Sequence, residues 1–124
     1  DYALLSLADR PGDQRGWVTL PMDAILPARD APLMIVQHPD GAPMKLALDT
    51  EAVIGAMHGG LRLRYATNTE PGSSGSPCFG IDWQPVALHH MGDPAWQATY
   101  NQGVPLALIR AAIEADDKAG MLGA

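Results

Sequence analysis

Hydrophobic residues along the chain fall into short runs, and glycines and prolines interrupt them. In residues 61–65 apolar and charged positions alternate strictly, which predicts a strand with one buried face. Further strands are predicted, in chain order, at residues 33–36, 45–48, 52–57, 78–81, 86–89 and 99–104. Short strands without long helices between them favour an all-β fold, a small closed barrel, over an α/β sheet.

Only the end of the chain has a helical pattern. Leu106, Ile109 and Ile113 fall on one face of a helix. Pro105 suits a first helical position, and Gly120 can end the helix. The pattern therefore predicts a helix over residues 105–118.

The first thirty residues have a less regular pattern. The apolar run at residues 3–7 is typical of a strand. Residues 8–31 contain prolines and scattered charges, and they are predicted to form a linker with at most one short strand, at residues 17–20.

Composition and charge exclude several classes of function. The formal net charge of −6 argues against a nucleic-acid surface, where a basic patch is expected. No apolar run approaches the roughly 18 residues of a membrane span, so no membrane partner is predicted. Cys78 is the only cysteine, which excludes an internal disulfide, and we expect it to be a small buried apolar residue.

Four histidines and one cysteine raise the question of a metal site. His89 and His90 are adjacent on a predicted strand, so their side chains point to opposite faces and cannot easily share one ion. No pair of these residues has the usual spacing of zinc ligands. No metal or other cofactor is predicted.

The loop at residues 72–77 has a composition that can support chemistry, although a plain polar loop between two strands would also contain these residue types. Gly72 gives the backbone the freedom to turn its N–H group, together with that of Ser74, toward a developing oxyanion. Gly75 leaves room for a substrate beside Ser74. The rival nucleophile elbow, G-x-S-x-G, is excluded because Ser76 stands where its second glycine should be.

With its flanking residues, this loop resembles that of bacterial trypsin-like serine peptidases, most closely the branch that includes the glutamyl endopeptidases. The segments that are similar are residues 67–77, 83, 86–90, 92 and 100–105, together with residues 37–41 and the C-terminal helix. The resemblance implies the second six-stranded antiparallel barrel of a chymotrypsin-like double barrel, followed by a helix. It also implies a serine endopeptidase that acts on polypeptides, with Ser74 as the nucleophile.

In this family the catalytic residues follow the chain order histidine, aspartate, serine. Residues 1–5 have the form Asp-aromatic-Ala-Leu-Leu that opens with the catalytic aspartate, so the resemblance makes Asp1 the candidate; an ordinary strand with an acidic first residue is the alternative. The histidine would then precede Asp1. We therefore expect residues 1–7 to be the last part of an N-terminal barrel that supplies the histidine, residues 8–31 an interdomain linker, and residues 32–124 the C-terminal barrel. On this interpretation the 124-residue chain alone is inactive.

The resemblance also suggests a substrate specificity. Thr69 and His89 match positions that bind the substrate carboxylate in glutamyl members of the family. His90, the next residue of the same segment, is a further candidate for substrate binding. A hydroxyl and an imidazole N–H can satisfy a buried carboxylate, although His89 could also be a buried strand histidine with a backbone partner. Asn68 stands where specificity for arginine or lysine needs an acid. The main alternative function is a non-catalytic barrel, derived from a protease, that binds peptides.

Overall fold

The computed structural model describes residues 1–23 and 25–122 and contains one antiparallel sheet of seven strands with a C-terminal helix. The strands are β1 Leu33–Gln37, β2 Lys45–Asp49, β3 Val53–Met57, β4 Arg62–Tyr65, β5 Pro77–Phe79, β6 Pro85–Gly92 and β7 Asn101–Pro105. The α-helices are α1 Gly12–Arg15 and α2 Leu106–Ala115, and single 3-10 turns lie at Pro39–Gly41 and Ala119–Met121. The seven strands predicted between residues 33 and 104 are confirmed, with ends shifted by at most three residues.

The sheet has the order β2-β1-β5-β6-β7-β4-β3, so its two edge strands are consecutive in the chain. Only residues 50–52 separate them. Just before β1, the carbonyl of Ala31 accepts from the N–H groups of Ala52 and Val53, at 3.1 Å each, and the N–H of Asp30 donates to Val53 O at 2.7 Å. These bonds connect the start of edge strand β3 to the segment that leads into β1, the strand beside the other edge. The seven strands match the number predicted from the sequence pattern and are one more than the six that the family resemblance implies.

The barrel core consists of side chains from five strands and from the turn before β3. Its fully buried members are Leu33, Ile35, Ala52, Val53, Leu63, Tyr65, Cys78 and Ala87. The predicted alternation of β4 is confirmed, because Leu63 and Tyr65 are buried while Arg62 and Arg64 are half-buried. Burying a large apolar side chain stabilises a fold by about 1.5–3 kcal/mol, so this cluster fixes which face of each strand points inward.

A second apolar cluster lies between α2 and the sheet. It contains Val104, Leu106, Ile109 and Ile113, with Leu4, Leu20, Leu88 and Leu122 packed against it. On the same side, Arg110 Nη1 donates to the carbonyl of Leu20 at 2.8 Å. The helix therefore holds the N-terminal segment and the linker against the barrel.

The strand predicted at residues 3–7 is wrong, and residues 17–20, where the linker was predicted to form at most one short strand, form none. Leu4 and Leu20 pack on the α2 cluster. The other large apolar side chains of these two runs, Leu5, Leu7, Trp17 and Val18, are exposed. A single turn of helix, α1, was not predicted in the linker.

The helix also differs at both ends from the predicted range of 105–118. Pro105 precedes the first helical residue, with extended backbone angles (φ −55°, ψ 129°). At the other end, Asp117 takes a left-handed conformation (φ 58°). The N–H of Asp117 donates to Glu114 O and that of Lys118 to Ile113 O, at 3.1 Å each. This Schellman motif ends the helix three residues before the predicted end, so Gly120 is not needed as the stop.

No helix in the described part of the chain is both long and apolar enough to cross a lipid bilayer.

Candidate active site

The loop that carries Ser74 connects β4 to β5 and is bonded to β6. The N–H of Gly75 donates to His89 O and the N–H of His89 donates to Ser76 O, at 2.8 Å each. Gly72 and Gly75 have φ angles of +91° and +87°, in the left-handed region that favours glycine. Gly72 therefore uses the backbone freedom predicted for it, and at Gly75, predicted to leave room for a substrate, nothing lies within 4 Å of the position that a Cβ would take.

Two N–H groups of this loop are available to a ligand. Ser73, Gly75 and Ser76 donate to backbone carbonyls. Within the described residues, the N–H groups of Gly72 and Ser74 have no acceptor. Both residues line an open cavity of about 330 Å³, whose other lining residues are Val36, His38, Met44, Gly75, Ser76 and Pro77. Two neighbouring free donors in a concave surface form an arrangement that can stabilise an oxyanion.

A buried hydrogen-bond network supports the loop from behind. Ser73 Oγ donates to Gln37 Oε1 at 2.6 Å, and Gln37 Nε2 donates to Asn68 O at 3.0 Å. Ser73 and Gln37 are both almost fully buried. Sequence reasoning did not assign this role to Gln37, although a polar residue that ends an otherwise apolar strand is a usable signal.

Asp1 and Ser74, which are distant in sequence, both contact His90. Oδ2 of Asp1 lies 2.8 Å from His90 Nδ1, and Ser74 Oγ donates to His90 O at 3.1 Å. The Asp1 side chain keeps 60% of its surface exposed and that of His90 keeps 26%. Burial, followed by the charge of Arg62, lowers the pKa of His90 below its ordinary value. The structure thus brings three of the predicted site residues together.

Within the described chain, no imidazole nitrogen bonds to Ser74 Oγ. The ring of His38 pairs with Ala42 O at 3.0 Å, the ring of His89 with Tyr65, and the ring of His90 with Asp1. The Ser74 hydroxyl is exposed and donates to a carbonyl oxygen. It therefore has no general base among these histidines.

His89 is turned inward, on the opposite side from His90. It is only 4% exposed, and its Nδ1 lies 2.7 Å from the hydroxyl of Tyr65, which in turn lies 3.6 Å from Cys78 Sγ. Burial, with a smaller contribution from His90, lowers the pKa of His89 to about 4, so the ring is neutral at neutral pH. Burial also raises the pKa of Cys78 to about 12 and that of Tyr65 above its ordinary value. All three groups are therefore uncharged at neutral pH, and Cys78 is buried as predicted.

The predicted partnership of Thr69 with His89 is not present as a direct contact. Thr69 Oγ1 donates to Asn101 Oδ1 at 2.9 Å, and Asn101 Nδ2 donates to Thr67 O at 2.8 Å. Asn101 lies opposite Gly92 in the β6–β7 pair, at the end of β6 that follows the two histidines. Asn101 is a residue of this region that sequence reasoning did not single out.

Asn68 is exposed and lines a surface depression with Leu48 and Asp49 of β2. In the part of the chain that the structure describes, no group of three or more histidine, cysteine, aspartate or glutamate side chains is arranged to hold a metal ion.

Known proteins similar to this chain include solved protease structures. The chain matches the crystal structure of Rv3671c from M. tuberculosis H37Rv, a serine-to-alanine mutant in its inactive form, with a TM-score of 0.58 and 14% identity over 80% of this chain and 52% of that chain. It also matches catalytically active tobacco etch virus protease complexed with product, with a TM-score of 0.47 and 16% identity over 73% of this chain and 41% of that chain. No curated protein sequence matches significantly.

The chain spans about half the length of Rv3671c. At this identity the likeness concerns the fold, a mostly β antiparallel half-barrel with a C-terminal helix that is similar to chymotrypsin-like protease folds. The family model of the trypsin-like peptidase domain matches residues 1–88, which include Asp1 and the Ser74 loop. Because this match covers well over half of the sequence, the chain belongs to the trypsin-like peptidase domain family.

Proposed function

We propose that the chain is the nucleophile-bearing part of a serine endopeptidase. Ser74 is the nucleophile, and the N–H groups of Gly72 and Ser74 hold the oxyanion. Asp1 orients a catalytic histidine that an N-terminal barrel of the parent protein supplies. One observation supports this assignment above the others: the Asp1 carboxylate and the Ser74 hydroxyl both bond to one residue, His90.

The proposed reaction follows from these positions. The incoming histidine takes the proton of Ser74 Oγ, which attacks the carbonyl carbon of the peptide bond. The carbonyl oxygen becomes negatively charged and accepts from the two free N–H groups of the loop. The C–N bond then breaks, the amine leaves with the proton from the histidine, and water hydrolyses the acyl group on Ser74. Only Oδ2 of Asp1 is bonded to His90, which leaves Oδ1 to accept from the catalytic histidine.

The edge of β6 beside Ser74 supports a polypeptide substrate. The pairing of β5 with β6 ends at Pro77 and Leu88, whereas β7 continues along β6 to Gly92. Residues 90–92 therefore have one edge free of strand pairing. An extended peptide can add to this edge as a further strand, with its scissile bond at Ser74.

We further propose that the enzyme cleaves after glutamate. The neutral, buried ring of His89 can donate one hydrogen bond to a substrate carboxylate, and the Thr69 hydroxyl supplies a second when it exchanges Asn101 for the substrate. Asn68 is neutral and adds no negative charge that would attract a basic side chain of the substrate. Profiling of the full-length protein on a peptide library tests this proposal, and a dominant preference for arginine, lysine or large aromatic residues would exclude it.

A second candidate is a peptide-binding barrel without catalysis. The observation in its favour is that the Ser74 hydroxyl donates to a carbonyl oxygen and that no imidazole of the described chain contacts it. On this reading the free edge of β6 binds a peptide and the Ser74 loop only positions it.

A fluorophosphonate probe separates the two functions. The endopeptidase proposal expects the full-length protein to be labelled on Ser74, with labelling lost in Ser74→Ala and retained in Ser76→Ala, which changes a second serine that lines the same cavity. Peptide binding by a full-length protein that resists the probe would support the binding barrel instead.

A further inference from the structure

The buried groups behind His89 form a hydrogen-bond chain that the proposed reaction does not use. We propose that Tyr65 holds His89 in the tautomer that carries its proton on Nε2, and thereby makes His89 a hydrogen-bond donor toward the substrate side chain. Tyr65 is then a positioning residue that acts through His89. The consequence for substrates rests on the proposed endopeptidase function, whereas the tautomer itself does not.

The geometry shows in which direction the hydrogen bonds from Cys78 through Tyr65 to His89 are donated. The Tyr65 hydroxyl lies 2.7 Å from His89 Nδ1, a strong hydrogen-bond distance, and Cys78 Sγ lies 3.6 Å from the same hydroxyl. If the thiol donates to the phenol oxygen, the phenol proton is free to point at Nδ1. The imidazole must then accept at Nδ1 and keep its proton on Nε2.

The reverse direction uses weaker partners. If Nδ1–H donated to Tyr65, the phenol proton would have to point at Cys78 Sγ, which is a weak acceptor. The thiol would then depend on Ser76 O, which lies 4.0 Å from the sulfur. The forward direction instead places the phenol proton on an imidazole nitrogen, a much better acceptor than sulfur.

Nε2 remains available for a ligand. No hydrogen bond among the described residues involves this atom. Every fully buried side-chain nitrogen or oxygen among these residues has a hydrogen-bond partner, so Nε2 is not fully buried. The small exposed fraction of His89 must therefore include Nε2. Gly103 lies directly opposite His89, and a Cβ there would come within 3.2 Å of the Tyr65 hydroxyl, so the glycine leaves room for that hydroxyl beside the imidazole.

The tautomer decides which side chains the ring can bind. An Nε2–H group donates, so it attracts a carboxylate or a carbonyl oxygen. An unprotonated Nε2 would instead repel a carboxylate and accept from an amine or an amide. Tyr65 therefore determines whether the His89 position selects for or against an acidic side chain.

Nitrogen-15 NMR of the full-length protein tests the tautomer directly at pH 7. We expect His89 to show Nε2–H with an unprotonated Nδ1. In Tyr65→Phe, which keeps the ring and removes the hydroxyl, the preference for Nε2–H should be lost; in Cys78→Ala, which keeps the Tyr65–His89 bond, it should remain. Backbone amide spectra show whether each variant is folded. An Nδ1–H tautomer in the wild-type chain, or an unchanged tautomer in folded Tyr65→Phe, would overturn the proposal.

Peptide hydrolysis by the full-length protein tests the consequence for specificity. The ratio of kcat/KM for glutamate over glutamine substrates should fall roughly ten- to a hundredfold in Tyr65→Phe, the range for losing a hydrogen bond to a charged group, with most of the change in KM. An Nε2–H tautomer in a protein that cleaves no peptide would contradict the proposed function but leave the role of Tyr65 intact. Cleavage after glutamate by a protein whose His89 is in the Nδ1–H tautomer would support the proposed function and contradict the role of Tyr65.

Discussion

The imidazole of His90 and the carboxylate of Asp1 lie 2.8 Å apart, and this contact fixes the first residue of the chain beside the nucleophile loop. The same histidine accepts the Ser74 hydrogen bond through its backbone, so its two functional groups serve two different parts of the site. A side-chain change at His90 can therefore release Asp1 while the carbonyl that faces Ser74 stays in place.

Replacing His90 by alanine should loosen the N-terminal segment and leave the Ser74 loop intact. The pair is partly exposed, so the expected loss of stability is only about 0.2–1 kcal/mol. Nitrogen-15 relaxation of the backbone of residues 2–4 should show more motion, while that of Gly75 and His89, whose amides are bonded between the Ser74 loop and β6, should not change. His38→Ala is the matched control, because that imidazole bonds only within its own turn. Unchanged relaxation of residues 2–4 in His90→Ala would show that the contact between Asp1 and His90 does not hold the segment.

Replacing Ser74 by alanine should abolish peptide hydrolysis by the full-length protein. Loss of the nucleophile costs about a millionfold in kcat in a dissected serine protease. Because the Ser74 side chain is exposed and makes one hydrogen bond, thermal stability should change little. Activity that survives at more than a thousandth of the wild-type rate in Ser74→Ala would assign the nucleophile elsewhere.

Stability should fall as the pH decreases from 6.5 toward 4 because of His89. The folded protein keeps this ring neutral, with a pKa of about 4, whereas the unfolded chain binds a proton near pH 6.5. The unfolded state therefore binds more protons in this window, so the contribution of His89 is complete above pH 6.5 and is lost progressively below it. The full loss is on the order of 3 kcal/mol.

Urea denaturation at several pH values between 4 and 7 measures this effect. Carboxylates also titrate in the lower half of the window, so the quantity to compare is the difference between the wild type and His89→Gln. The variant should lose less stability on acidification. Parallel pH profiles for the two proteins would contradict the assignment.

Replacing Gly103 by alanine should destabilise the barrel. A Cβ at this position would lie 2.9 Å from Leu88 O, 3.1 Å from Ala87 Cβ and 3.2 Å from the Tyr65 hydroxyl. Overpacking of this kind costs about 1–3 kcal/mol. Gly120→Ala is the control, because nothing lies within 4 Å of a Cβ there. Equal midpoints of urea unfolding for the two variants would show that the space around Gly103 can expand.

The sequence predicted the strands of the barrel well because their pattern is local. Alternation in β4 and the glycine and proline breaks between runs report directly on which face is buried. Residues 3–7 and 17–20 have the same apolar character, but they form no strand, and only Leu4 and Leu20 are packed, on helix α2 far along the sequence. No local pattern distinguishes a run that pairs in a sheet from one that packs on a helix.

The candidate site could be predicted only where its residues lie close together in the sequence. The spacing of Gly72, Ser74 and Gly75 is visible as a motif, and it identified the loop. Gln37 and Tyr65 act through single hydrogen bonds to Ser73 and His89, which lie 36 and 24 residues away. Such contacts depend on strand register, which the pattern of apolar residues does not specify residue by residue.

The cluster on α2 joins segments that are far apart in the sequence, since Leu4 and Leu20 pack against its buried members, Val104, Leu106, Ile109 and Ile113. During synthesis the first of these residues leave the ribosome long before the helix does, so they must wait without their apolar partners. The Ser74 loop, β1 and β6 lie earlier in the chain and can assemble sooner. The packing of Leu4 and Leu20 can therefore be completed only after α2 has been synthesised, whereas the contact between Asp1 and His90 joins two residues that both precede the helix.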